Sequence, residues 1–379
     1  MTEGRITGAD FSTLLAKLPA TLDLESTARS SGALRRRRGV RSAASLLRLA
    51  LGYAVGGMSL RQAAAWADID EIADVSDVAL LNRLRNAAGW LGQIVGAILG
   101  ARMGCAAGEE RRWRLVDATT LSCPGSRMTD WRVHVSCTLG PQPRIDQVEV
   151  TDGRGSESLS RFSYGPGDIA VSDRGYAKAG DLARIRACGA DAIVRTGWNS
   201  VGLRHADGRP FDLFAALAAI ADGGVADLPV TVALDRANAQ LLPMRLIVMR
   251  LSAADAERSA KRARRKSHRQ GKAVQPQTLE AAGYVLLLTS LDASQFSAED
   301  VLAIYRLRWQ IELLFKRLKS LLHLDELPAK DPDLARSWIY AKLIAALLLE
   351  EVAGPFLDSP PSGTQSATAV PLAPPALAA

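Results

Sequence analysis

The spacing of apolar residues changes once along this chain of 379 residues, at about residue 110, and that change limits the folds open to it. Upstream, Ala43 to Val55 and Ser59 to Ala67 carry apolar residues three and four apart, with Gly56 and Gly57 breaking the chain between them. Asp77 to Leu99 predicts a longer helix that Ser76 or Asp77 would cap. Downstream of Arg112, the runs WRLVDATTLSC, WRVHVSCTL and IDQVEVTDG read as successive strands. Ile169 to Val171 is then a hydrophobic strand, AGDLARIRACG a helix, and DAIVRTG another buried strand. Strands in a row, then strand, helix, strand, predict a mixed α/β sheet following an all-helical N-terminal module. The length predicts two or three domains.

From about Thr196 to Tyr284 this pattern is interrupted. LPVTVALD and PMRLIVMRL read as strands, and a dense basic run from Arg258 to Lys272 follows, expected as a loop. Tyr284 to Thr289 is a last buried strand, and DPDLARSWIYAKLIAALLLEEVA predicts a final helix. Beyond Ala353 the composition turns to Pro, Ser, Thr and Ala, which cannot build a packed core, so a disordered tail is expected.

The net charge is +7 with a pI near 9.4, and the excess is clustered at Arg35 to Arg38 and at 258–272. Such clusters suit a polyanion, most simply nucleic acid. The second cluster reads equally as a solvated flexible loop. MSLRQAAAWADI and VSDVALLNRLRNA resemble a loose helix-turn-helix, and Arg61, Arg83 and Arg85 add basic charge there. That module is read either as DNA-binding or as a packing unit. Cys105, Cys123, Cys137 and Cys188 have neither CxxC spacing nor paired histidines, so no zinc site or disulfide framework is expected and a reducing cytoplasm fits. The N-terminus lacks a signal-peptide pattern, and the run near Leu343 to Leu349 is too short to span a bilayer.

Two features carry chemistry. Tyr305 to Lys319 reads as one amphipathic helix, with Ile304, Leu307, Ile311, Leu314, Leu318 and Leu321 as its apolar stripe. At roughly 100° per residue, Tyr305, Arg308, Glu312 and Lys319 fall within an arc of about 60°. That wall could hold a metal through Glu312 while its phenol and cations grip phosphates; it is also what an ordinary charged helix with an Arg308–Glu312 pair would present. The second feature is an aspartate, Asp117 and Asp173, at the end of each of two strands. Like charges brought together there repel unless a cation neutralises them, and hard carboxylate oxygens select Mg²⁺ or Mn²⁺. Each aspartate taken alone is also a common turn or cap residue.

The spacing Tyr305, Arg308, Glu312, Lys319 resembles the Y-R-E-K signature of bacterial insertion-sequence transposases of the DDE class, the insertion-sequence family four type. VDATTLSCPGS around Asp117 and VSDRGYAKAGDL around Asp173 resemble that family's other two blocks, and the likeness runs from about residue 35 to 350. The resemblance implies a ribonuclease-H-like catalytic core at 108–196 and 290–352, a β-rich insertion with a basic loop at 197–289, a helical DNA-binding domain at 1–107 and a tail at 353–379. It implies that Asp117, Asp173 and Glu312 form the catalytic, metal-holding triad for two Mg²⁺ (or Mn²⁺) ions, with Tyr305, Arg308 and Lys319 gripping DNA phosphates. It further implies binding of terminal inverted repeats and target DNA, cut-and-paste strand transfer, a homodimer in a synaptic complex, and a bacterial cytoplasmic, nucleoid-associated setting. Some members pass through a DNA hairpin aided by an aromatic residue; Tyr284 or Trp198 would fill that part, or serve the core instead. The C-terminal residues depart from the family, as a truncated or frameshifted end would. An inactive DNA-binding derivative and a nuclease without strand transfer are the competing expectations.

Overall fold

The computed structural model of the chain describes residues 8–104, 111–140, 143–235 and 240–357. The Pro-rich tail expected beyond Ala353 falls largely outside these residues, as does Cys105.

The first helices are α1 (Gly8–Leu15), α2 (Leu24–Ser30), α3 (Ala43–Val55), α4 (Leu60–Ile69) and α5 (Asp77–Gly104). Each start has a local cause. Asp23 caps α2, Ser42 caps α3, and Ser59 with Gln62 forms a capping box on α4. Ser76 accepts from the Ala79 amide at 3.2 Å to start α5, which runs five residues beyond the expected Leu99. Gly52 lets α3 and α4 cross closely, because a Cβ there would lie 2.3 Å from the Trp66 ring.

The remaining elements are β1 (Arg112–Leu121), β2 (Trp131–Thr138), β3 (Arg144–Asp152), β4 (Asp168–Ser172), α6 (Ala179–Ala187), β5 (Asp191–Arg195), β6 (Leu203–Arg204), α7 (Leu213–Ala218), β7 (Val225–Ala233), β8 (Leu241–Arg250), α8 (Ala253–Arg269), α9 (Pro276–Ala281), β9 (Tyr284–Thr289), α10 (Ala298–Arg306), α11 (Trp309–Leu322) and α12 (Pro332–Leu357). Among the described residues, all nine strands join one sheet in the order β3-β2-β1-β4-β5-β9-β8-β7-β6. β1, β4 and β5 run parallel, and β2, β3 and β9 pair antiparallel to their neighbours. β8 is antiparallel to β9 and therefore parallel to β5.

Alternation along the strands sorts the core into two layers. Leu115, Val171, Ile193, Ile247 and Leu287 face the helices of the N- and C-terminal regions. Val116, Ala170, Val194, Leu246 and Leu288 face α6 and α7. The helical module does not close on itself: α12 packs along α5 and α3, and the buried Ser337 hydroxyl donates to the Leu84 carbonyl. Arg85 pairs with Asp331 at 2.9 Å, and Arg83 donates to the Arg36 and Arg38 carbonyls. These two arginines, counted with the basic surface from sequence, therefore hold the module together.

Three sequence expectations change. The basic run is a helix, α8, because Ala256, Ala260 and Ala263 give it helical spacing and Ser252 caps it. Asp117 lies inside β1, since antiparallel pairing with β2 carries the strand on to Leu121. Tyr305 to Lys319 is two helices: the Leu307 and Arg308 amides donate to carbonyls three residues back, a tighter turn that ends α10 and starts α11. Leu321, placed in the stripe, is 73% exposed, while Phe315 is buried.

Candidate active site

Strand parity brings the two aspartates together. β1 and β4 pair in parallel as far as Val116 opposite Ser172, so Asp117 and Asp173 are the next residues on adjacent strands. Asp117 shares the parity of Leu115, and Asp173 that of Val171, which points both toward the layer containing α10 and α11. The end of the parallel ladder supplies the strand-end setting that β1 itself does not.

The break between α10 and α11 supplies the opposing wall. The Tyr305 hydroxyl, near the end of α10, donates to Asp173 Oδ1 at 3.3 Å. Arg308 sits at the break with its side chain 15% exposed and reaches two carboxylates. Its Nη2 donates to Glu312 Oε1 at 2.6 Å, and its Nη1 lies 3.5 Å from Asp117 Oδ2. The guanidinium also stands 5.8 Å from the Tyr305 ring centroid. Although the helix is broken, both Leu307 and Arg308 keep right-handed helical angles, so the phase of the wall is nearly preserved.

The electrostatics are lopsided. Burial raises the Asp117 carboxyl to about 6, and neighbouring Asp173 and Glu157 add to the rise; its hydrogen bond from the Ala118 amide and the charge of Arg308 oppose it without cancelling it. Burial likewise lifts the Tyr305 phenol to about 12, helped by Asp173, so it remains a neutral donor. Burial alone would lower the Arg308 guanidinium, but Tyr305, Glu312 and Asp173 raise it overall. Glu312 is open to solvent, its side chain 58% exposed. The donors are hard carboxylates of the kind that bind Mg²⁺ or Mn²⁺. Among the described residues, no three His, Cys, Asp or Glu side chains gather closely enough to hold a metal as they stand. Arg308 accounts for part of this, since it reaches both Asp117 and Glu312.

Of the other residues singled out from sequence, Lys319 shares a shallow groove along α11 with Glu312. Trp198, after β5, donates its indole N–H to the Thr278 hydroxyl at 3.2 Å. Its neighbour Gly197 runs close to Arg174, beside Asp173. Tyr284 lies elsewhere, its hydroxyl donating to the Leu217 carbonyl at 3.1 Å within the α6 and α7 layer.

Sequence reasoning missed three contributors. Glu157 packs its carboxylate over Gly175, where a Cβ would come within 1.7 Å of Oε2, and Lys178 donates to the Glu157 carbonyl. This straps the turn that carries Asp173. Arg174 is exposed at that turn; burial and the like charge of Arg195 lower its guanidinium, against Asp173 and Tyr305. Its position in SDRG was a readable signal. Lys342 of α12 donates to the Leu322 and His323 carbonyls, capping the α11 C-terminus, with its ammonium 3.6 Å from the Trp338 ring centroid. Burial lowers that ammonium to about 8 although Glu326 and Asp325 oppose the shift.

Comparison with known proteins shows what the chain as a whole is similar to. Residues 157–348 match the family model described as the transposase DDE domain. The chain is 44% identical over 367 residues, 94% of its own length and 97% of the relative's, to InsL of Escherichia coli strain K12, named as a transposase for insertion sequence element IS186A. It is equally 44% identical, over 94% of its length and 97% of the relative's, to the transposase for insertion sequence element IS421 of Escherichia coli. The transposase for insertion sequence element IS231F of Bacillus thuringiensis subsp. israelensis is 26% identical over 51% of this chain and 43% of that protein.

Proposed function

This chain belongs to the family of DDE transposases, enzymes that cut and transfer DNA strands, and from that premise we propose that it binds the terminal inverted repeats of its own insertion sequence and moves it by cut-and-paste transposition. The observation that carries the reading is the meeting of Asp117, Asp173, Tyr305, Arg308 and Glu312 at one end of the β1–β4 ladder. Asp117, Asp173 and Glu312 are the catalytic carboxylates in this reading. The strand order β3-β2-β1-β4-β5, with β2 alone antiparallel to β1, supports a ribonuclease-H-like core at 108–196 and 290–352, with 197–289 as the insertion and 1–107 as the DNA-binding domain.

The three carboxylates would hold two Mg²⁺ or Mn²⁺ ions once Glu312, exposed at the surface, turns from Arg308 toward the aspartates. Ions bound there would neutralise charge on the attacking and leaving oxygens of an in-line phosphoryl transfer. The released Arg308 fork is then free to take two phosphate oxygens. The neutral Tyr305 phenol would orient Asp173 or donate to the scissile phosphate, and Lys319 would meet the next phosphate along α11. If the reaction passes through a hairpin, Trp198 on its loop beside Arg174 is better sited than Tyr284 to stack on a base. A homodimer would join two element ends. No helix among the described residues is long and apolar enough to cross a membrane; it is the proposed DNA substrate that places the work in the bacterial cytoplasm.

A second reading, a protein that binds DNA without cutting it, draws on the Arg308 contacts that already neutralise part of the carboxylate charge. Nicking of a terminal-repeat duplex in Mg²⁺ separates the two. Wild type should nick, and Asp117→Ala, Asp173→Ala and Glu312→Ala should each lose at least a thousandfold in rate while still shifting the duplex in a gel. Cleavage retained by any one of them overturns the assignment, and binding without nicking by the wild type selects the second reading.

A further inference from the structure

Helix α8 is built with two faces. At 100° per residue, the small residues Ala256, Ser259, Ala260, Ala263 and Ser267 occupy an arc of about 100°, and these are half-buried. The seven Lys and Arg residues of α8 spread over the remaining arc of about 200°, and all are exposed. Arg258 pairs with Asp255; none of the other six makes an ion pair among the described residues. A helix of 17 residues is about 25 Å long, roughly three-quarters of one duplex turn.

Topology puts this helix beside the carboxylates. β8 is parallel to β4 and β5, so its end at Arg250 lies at the same sheet edge as Asp173 and Arg195. β8 lies three strand steps, about 14 Å, to the side of β4, and Arg250 stands three residues further along than the level of Arg195. Contacts bridge the interval: Gly197 lies against Arg174, Trp198 bonds Thr278 of α9, and α9 packs on α8.

We propose that α8 is a phosphate-binding track that carries double-stranded DNA away from the carboxylate edge through sequence-independent contacts; this rests on the reading that the protein acts on DNA. A duplex lying across that edge would run from Arg308 toward α8. Charged side chains on an exposed helix grip phosphates without reading bases, and each phosphate neutralised releases counterions.

Arg262, Arg265 and Arg269 lie within about 60° of one another on the outer face and provide the test. Dissociation constants are measured in EDTA, where cleavage is blocked, over a range of KCl concentrations, on a terminal-repeat duplex and on an unrelated duplex of equal length. Because the three side chains support no core, the Arg262→Gln, Arg265→Gln, Arg269→Gln triple variant should melt at the wild-type temperature. Its slope of log affinity against log salt should be shallower by about 2 to 3 on both duplexes, near 0.9 per lost phosphate contact. The corresponding triple Lys variant should restore the slope. An unchanged slope, or a change confined to the terminal-repeat duplex, overturns the proposal while leaving the transposase reading intact. Failure of the wild type to bind either duplex would overturn both.

Discussion

The two ends of the β1–β4 pair both collect aspartate and arginine, and they are built to different ends. At the start of the strands, the buried Arg114 donates to Asp146 at 3.1 and 3.2 Å, to Asp168 at 3.3 Å and to the Ser163 carbonyl at 2.6 Å. Asp168 also takes the Gly165 amide and pairs with Arg112, and Asp146 takes the Thr138 hydroxyl. Each carboxylate there is closed by several donors. At the other end, Asp173 accepts from Tyr305 at 3.3 Å, Asp117 meets Arg308 at 3.5 Å and the adjacent Ala118 amide, and Glu312 lies in solvent. Burial is shared by both ends; what differs is how fully it is compensated. The closed end fixes the fold, and the open end leaves its carboxylates with fewer partners, as the proposed cation site requires.

The difference can be broken from either side. Removing a partner from the closed end strands a buried charge, so Arg114→Ala should lower unfolding free energy by about 3 to 5 kcal/mol in a urea titration. Glu312→Gln at the open end should cost under about 0.5 kcal/mol in the same titration, because its partner contact is solvent-screened. Equal losses from the two substitutions would erase the distinction.

A smaller effect sharpens it through pH. Asp117 has a folded value of about 6 against an ordinary 3.8, so between those values the folded state binds more protons than the unfolded one. Stability is therefore lost as pH rises through that window, and the penalty is complete above it. In EDTA at pH 7, Asp117→Asn should be more stable than wild type by about 3 kcal/mol, with the gain vanishing below pH 4. A gain that persisted at low pH would point to packing instead.

Much of this layout is legible in the sequence because it depends on local spacing. Caps at Ser42, Ser59 and Ser76 mark the helices, and alternation through Val116 and Val171 is enough to place Asp117 and Asp173 on one face. The helical character of 258–269 was also encoded, in alanines at 256, 260 and 263, but the density of charge masks it. What could not be read is long-range. The Arg308 contact with Asp117 joins β1 to the break between α10 and α11, the Glu157 strap depends on the turn it happens to cover, and Lys342 reaches the end of α11 only because α12 folds back along α5. The break at Leu307 and Arg308 is hidden because both residues stay helical in angle while only the hydrogen-bond spacing tightens.

The proposed active site makes the open end, and not the closed end, a place for a cation. Titration of the metal-free protein with Mn²⁺ in the presence of a terminal-repeat duplex, following free Mn²⁺ by electron paramagnetic resonance, distinguishes the two ends. Wild type should bind Mn²⁺, and Asp117→Asn and Asp173→Asn, both folded, should each weaken that binding by tenfold or more. Undiminished Mn²⁺ binding by either variant would contradict the claim.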